Sequence, residues 1–370
     1  MPTEASAALA VAKARPLDDP RIRRILRFTI GVTLATAYTS YVNWSFSFLT
    51  VALIISLLTM PTPAPSLRFA VWTVAKLLAF TVLGLALMLP LHSHQLFGFA
   101  LVGLILFIYF YLQAQGRMVG LNATFIIIGA TLVPAFGAGS MDGGVEFAKG
   151  LSQSALTLFP IIWICYAVLP EGVFPGLPNA PRIEGSSSER AIIALRPVVL
   201  LLPLVVYMFS NDNAIRYMIG YYQAAMIAQH ASRATSRALA IELFLATVIG
   251  ATAGLVLWWL LKAWPSLLWF TLLMALFSFL FATRIFDNGP RGLSPQVVRW
   301  SYGLTTLVFI VFPDAMTQGF SGDSGSMKFY QRILDYALVT SYSVFGVLVY
   351  DAVVDRLRAW RLLSARQDSA

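Results

Sequence analysis

Residues Thr73–Leu91, "TVAKLLAFTVLGLALMLPL", are apolar along almost their whole length yet carry a lysine, Lys76. As a helix this stretch would rise about 28 Å, close to the roughly 30 Å of a hydrocarbon core. Similar runs recur through the 370-residue chain, which is 58% hydrophobic and only 12% charged, with a mean hydropathy of +0.74. A soluble domain is about a quarter charged, so the chain reads as an all-α polytopic membrane protein. Helices are the expected spanning elements because lipid offers the backbone no hydrogen-bond partners.

Working outward from Thr73–Leu91, candidate spans fall at 25–42, 46–61, 67–90, 96–114, 118–136 and 146–169. A polar, proline-rich linker, "PEGVFPGLPNAPRIEGSSSER", follows. Six more candidates lie at 191–210, 213–230, 235–262, 266–285, 297–313 and 327–355, making about 12 transmembrane helices. The second and eighth are short and follow tight turns ("NWS", "NDN"), so each forms a hairpin with its predecessor. The expected organisation is a cytoplasmic N-terminal tail (1–24), a first six-helix repeat (25–169) and a cytoplasmic linker (170–190). A second six-helix repeat (191–356) and a cytoplasmic tail (357–370) follow.

The net charge of +9 would suggest nucleic acid in a soluble protein; here topology accounts for it, and no nucleic-acid partner is expected. Basic residues accumulate in loops that would lie inside if the N-terminus is inside. Apart from Lys76, only Lys149, Arg216, Lys262, Lys328 and Arg332 fall elsewhere. This orients the chain in the bilayer as a multi-pass protein with both termini cytoplasmic. The segment before residue 25 lacks the apolar run of a signal peptide. Cys165 is the single cysteine, which excludes an internal disulfide. His92 and His94 ("HSH") and His230 have no acidic or thiol neighbours that would make a metal site, and no cofactor is expected.

The halves repeat. "LRFTIGVTLATAYTSYVNW" aligns with "LRPVVLLLPLVVYMFSNDN", setting Arg27 opposite Arg196. "AKLLAFTVLGLALML" aligns with "IELFLATVIGATAGL", matching Gly84 to Gly250 and Lys76 to Glu242. Units of six helices insert with the same orientation, so the expectation is two parallel repeats about an axis along the membrane normal. A pathway would lie between them.

These same residues carry a family resemblance. A basic tail leading into "LRFTIGVTLATAYTSYVNWSFSFLTVALII", a proline-rich turn, a glycine-bearing third helix and a final "FYQRILDYALVTSYSVFGVLVYDAV" resemble the fusaric acid resistance and aromatic acid exporter superfamily. The resemblance covers roughly residues 22–357 and rests on diffuse patterns of Trp, Thr, Arg and Gly. Members carry a sizeable cytoplasmic domain after the six-helix unit. The short linker here points to a compact branch lacking it. The resemblance implies that the bilayer is a bacterial inner membrane. It also implies proton-driven export of aromatic or other organic acids and xenobiotics, with a periplasmic adaptor subunit as a partner.

Lys76 lies eight residues past Arg68, roughly 12 Å along a helix. A charge at such depth costs a few kcal/mol. One reading makes Lys76 and Glu242 a couple lining the path, with Glu242 as proton carrier or Lys76 as counter-charge. The other lets Lys76 snorkel to the surface while Glu242 binds Arg237 or Arg233. Near the outer mouth stand Arg216, Lys149 and Arg332. Arg332 and Asp335 are three residues apart on one helical face, suited to an ion pair or to anion steering. Tyr217, Tyr221, Tyr222 and Gln223 in the eighth helix, and Trp44 before the second, could wall a path for flat acids. They equally suit interfacial packing. Arg27 and Arg196 read mainly as topology anchors, and Trp258, Trp259, Trp264 and Trp269 as an aromatic belt.

No phosphate-cradling loop, nucleophile elbow or zinc-protease helix is present in the sequence, so an enzyme is not expected. The sequence favours an inner-membrane efflux protein for organic anions. A passive anion channel and a non-transporting membrane scaffold are the other classes it allows.

Overall fold

The computed structural model describes residues 19–60, 62–115, 121–138, 140–170, 187–210, 221, 233–287 and 293–317, and scattered helical positions between 330 and 356. Ten helices can be followed: α1 Pro20–Val42, α2 Phe48–Thr59, α3 Leu67–Ser93, α4 Gln95–Ala114, α5 Leu121–Phe136 and α6 Met141–Val168. After the linker come α7 Ser187–Phe209, α8 Arg233–Ala263, α9 Leu267–Ile285 and α10 Val297–Thr317. One isolated β-bridge, Phe286 to Leu293, closes the turn between α9 and α10.

Local chemistry sets the ends. Asp19 accepts from the Arg21 N–H at 2.9 Å, and Pro20 sits in the first turn, where its missing N–H is harmless. That starts α1 five residues before the expected 25. Asn43 ends it in the left-handed region (φ 52°), returning its N–H to Thr39. Ser66, Ser140 and Ser266 cap α3, α6 and α9 by accepting from the Phe69, Gly143 and Trp269 N–H groups. Inside α1, Thr29, Thr33, Thr36 and Thr39 each donate to the carbonyl four residues back. The hydroxyls are thereby satisfied in an apolar setting.

Among the described residues, six helices are long and apolar enough to cross a membrane: α3, α4, α6, Arg190–Phe209 of α7, Ile241–Ala263 of α8, and α9. The chain is thus an α-helical membrane protein. Phe48–Thr59, Thr124–Phe136 and Val297–Pro313 are apolar but shorter. They need not match the bilayer, because protein surrounds them. In α2, Phe48–Ile55 are all buried, and in α10 the run Leu304–Phe312 is buried throughout. By contrast α3 and α9 expose Val71, Trp72, Val82, Leu272, Leu276 and Leu280. Apolar side chains on every face, with exposure decided by position in the bundle, are what a lipid-embedded fold requires. The expected span 213–230 lies outside the described residues except for Tyr221, and 327–355 is described only at scattered helical positions.

The chain alternates direction, and the packing follows. Trp163 and Tyr166, near the end of α6, donate to the carbonyls of Pro65 and Thr62 just before α3. Arg21 at the start of α1 donates to Phe286 and Thr283 at the end of α9. One end of the bundle therefore gathers Arg21, Arg27, Arg284 and Arg299, and is called the basic end below. Between the two halves of the chain, α1 packs on α9, α4 on α7, and α2 on α10. Within them, α3 packs on α5 and α8 on α10.

Both of these last crossings are glycine contacts. A Cβ on Gly84 would strike the Gly129 carbonyl of α5, and a Cβ on Gly250 would strike the Gly303 carbonyl of α10. One turn earlier the Phe80 carbonyl presses on Gly129 in the same way, while the Ala246 carbonyl faces Gly303 at a looser 3.4 Å from the place a Cβ would take. Backbones approach this closely only where side chains are absent. One difference separates the crossings. The α5 partner contains a π-turn over Ile128–Leu132, which includes Gly129, whereas α10 is regular at Gly303.

Candidate functional site

Glu242 lies in the third turn of α8, and Arg299 in the first turn of α10. Because α8 and α10 cross with glycine-close backbones, the two side chains meet. Arg299 Nε donates to one Glu242 carboxylate oxygen at 2.9 Å and a terminal nitrogen donates to the other at 2.7 Å. This fork-to-fork geometry is the strongest form of an Arg–carboxylate bond. The side chains are 23% and 28% exposed, so the pair is shielded by protein yet reachable from the basic end.

Lys76 does not share this site. It lies on a face of α3 with Trp72, Ala75 and Ala79, all exposed, while Thr73 and Leu77 face the protein. Lys76 and Glu242 are not paired, and the couple expected from the repeat is not formed. Their helices share a crossing type, but the polar residue of each is turned differently about its axis. The expected local partners Arg233 and Arg237 lie outside the described side chains; the partner observed is Arg299, two elements further on. No sequence spacing links Glu242 to Arg299. The signal available was the second glycine, Gly303, four residues after Arg299, facing Gly250.

The other expected site residues scatter. Lys149 is exposed on α6 at the end opposite the basic end. Trp44 lies in the turn before α2, its ring edge-on to Tyr38 at 5.8 Å. Tyr221 is buried, its phenol beside Thr131 of the π-turn but short of a formed hydrogen bond. That contact joins the second half of the chain to α5. Arg216, Tyr217, Tyr222, Gln223, Arg332 and Asp335 lie outside the described residues.

Aromatic residues before and within α2 serve packing. Phe46, itself at φ 65°, stands edge-on to Phe136 and Phe147, each at 5.0 Å, and Phe48 meets Phe309 of α10 at 5.1 Å. Thr50, Thr305 and Thr306 are all buried, with the Thr50 hydroxyl 3.5 Å from that of Thr157 on α6 and Thr305 donating to the Ser301 carbonyl. Trp259 and Trp264 are exposed and Trp258 is buried. His92 sits 2.7 Å from the Gly137 carbonyl, a contact that ties the end of α3 to the end of α5.

Arg27 and Arg196 are both buried, at 3% and 5% exposure. Their reading as topology anchors is untouched by this burial, which shows that protein encloses both side chains. The Arg27 guanidinium lies 4.1 Å over the Tyr166 ring and donates to the Leu169 carbonyl at the end of α6. A cation over an aromatic face and against a helix C-terminus is favourable on both counts.

No protein-family model matches the chain, and no curated protein or solved structure matches it. The class that the fold defines is a polytopic α-helical membrane protein.

Proposed function

We propose that the protein is an inner-membrane transporter of organic anions built from two parallel six-helix repeats, with solute passing between them. The observation that carries this reading is the Glu242–Arg299 pair, a bidentate ion pair joining two closely crossed helices of a membrane bundle. A scaffold has no need of it, since an apolar pair of similar shape would hold the helices at least as well. A transporter gains an exchangeable cation. Protonation of Glu242 would release Arg299, whose guanidinium can take a solute carboxylate with the same geometry. Loss of the proton would restore the pair and expel the anion.

The two-repeat arrangement is supported by the matched crossings at Gly84 and Gly250 and by the reciprocal packing of α1 on α9 and α7 on α4. The positive-inside pattern supports a cytoplasmic basic end. The resemblance to aromatic acid exporters supports aromatic acids as solutes and a periplasmic adaptor as partner. A passive anion channel is the second reading, favoured by the bidentate closure of the pair, which engages both carboxylate oxygens of Glu242.

The test is flux of an aromatic carboxylate into proteoliposomes, with and without a pH gradient. Coupled export predicts gradient-driven flux that becomes gradient-independent in Glu242→Gln and falls at least tenfold in Arg299→Gln. Gradient-independent flux in the wild type supports the channel. Absence of flux for any organic anion, with the far-end adaptor supplied, overturns transport.

A further inference from the structure

The basic end also holds a cleft of about 270 Å³ between the starts of α1 and α10 and the end of α9, lined by neither Glu242 nor Arg299. Arg21, Arg284, Asp287, Ser294, Gln296 and Trp300 supply its polar and aromatic wall. We propose that this cleft binds the headgroup of an anionic phospholipid, whose acyl chains run along the exposed face of α9.

Two observations carry it. The first is how the cations are used. Arg21 donates to the carbonyls of Thr283 and Phe286 at 3.2 and 3.1 Å. It therefore satisfies the C-terminal carbonyls of α9 and offsets the negative end of that helix. Arg284 is exposed, with its guanidinium 5.8 Å over the Trp300 ring. A cation over a ring keeps its outward N–H groups for a ligand. Asp287 also lines the cleft, so its charged groups are two guanidiniums and one carboxylate, and the lining is net cationic. The Trp300 ring nitrogen bonds Gln296 at 3.4 Å, which fixes the ring under Arg284.

The second is the track that leads to it. Leu272, Leu276 and Leu280 are 53%, 50% and 50% exposed, and Arg284 follows one turn after Leu280. Residues four apart share a helix face, so an apolar stripe about three turns long ends in a guanidinium. A small soluble anion would engage the cleft and make no contact with the stripe. A phospholipid uses both, with its phosphate at the level where the helix leaves the hydrocarbon. Basic pockets between helix ends are suited to such headgroups.

The test uses the full chain in nanodiscs of phosphatidylcholine doped with phosphatidylglycerol, followed by delipidation and native mass spectrometry. Wild type is expected to retain phosphatidylglycerol over phosphatidylcholine. Arg284→Gln should lower that retention about fivefold, the size of one basic contact to an anionic headgroup, and Arg284→Lys should keep most of it. Gln296→Glu, which places a carboxylate in the cleft without touching α9, should lower it too. All three variants should melt like wild type in pure phosphatidylcholine. Equal retention in Arg284→Gln and wild type would overturn the proposal. So would displacement of the lipid by soluble glycerol 3-phosphate, which would make the cleft a soluble-anion site. Neither outcome bears on Glu242 and Arg299, whose flux test is separate.

Discussion

The crossing of α3 on α5 and that of α8 on α10 are the same device used twice, yet only one of them carries an ion pair. In each, a glycine of the first helix lies against the carbonyl of a glycine in the second, and the carbonyl one turn earlier faces that second glycine. On α8 the charged residue, Glu242, turns toward α10 and finds Arg299. On α3 the matched residue, Lys76, turns outward with Trp72 and Ala75. α5 instead offers the π-turn at Ile128–Leu132, with Tyr221 beside Thr131. Backbone proximity is thus common to both crossings, while polar chemistry is particular to each. π-turns are frequent at functional positions in helices, so the two crossings are specialised in different ways.

The largest effect should come from filling the crossings. Gly84→Ala and Gly250→Ala each force a Cβ into a backbone carbonyl that no rotamer change can move. Each is expected to cost about 1–3 kcal/mol, and valine more, read as a lower denaturant midpoint in detergent. Loss at one position with tolerance at the other would break the equivalence of the crossings.

Next comes the charge asymmetry. Arg299→Gln takes both guanidinium hydrogen bonds from a part-buried carboxylate and should destabilise by about 1–3 kcal/mol. Lys76→Leu, on an outward face, should change stability by less than about 0.5 kcal/mol. A large loss in Lys76→Leu would mean that Lys76 has a partner in the assembled protein and would overturn its reading as a snorkelling side chain.

A small effect on stability is also expected for Tyr221→Phe. The hydroxyl it removes has no formed hydrogen bond among the described residues, so the change should stay within about 1 kcal/mol. Reduced flux at unchanged stability in Tyr221→Phe would assign the hydroxyl to the pathway and sharpen the contrast between the π-turn and the ion pair.

Much of the scaffold was legible before any coordinates. The apolar runs gave helix positions to within a few residues for α2, α3, α4, α8 and α9. The misplaced starts of α1 and α6 came from caps, Asp19 with Pro20 and Ser140, whose extra turns are too polar to register as apolar run. Gly84 and Gly250 were matched from the repeat. Which way Lys76 and Glu242 pointed was not legible. A soluble helix announces its buried face by alternating polar and apolar residues, but in lipid both faces are apolar and the alternation vanishes. For the same reason, nothing in the sequence marked α2 and α10 as sheathed in protein and α3 and α9 as bare.

By itself the sequence determined that this chain is helical and lives in a membrane, because apolar length and the demands of an unsolvated backbone leave no other solution. The tertiary structure alone decided that Glu242 meets Arg299 while Lys76 faces out of the bundle. Partnership between distant helices depends on rotation about each helix axis, and that rotation is fixed only when glycine-close backbones lock against each other.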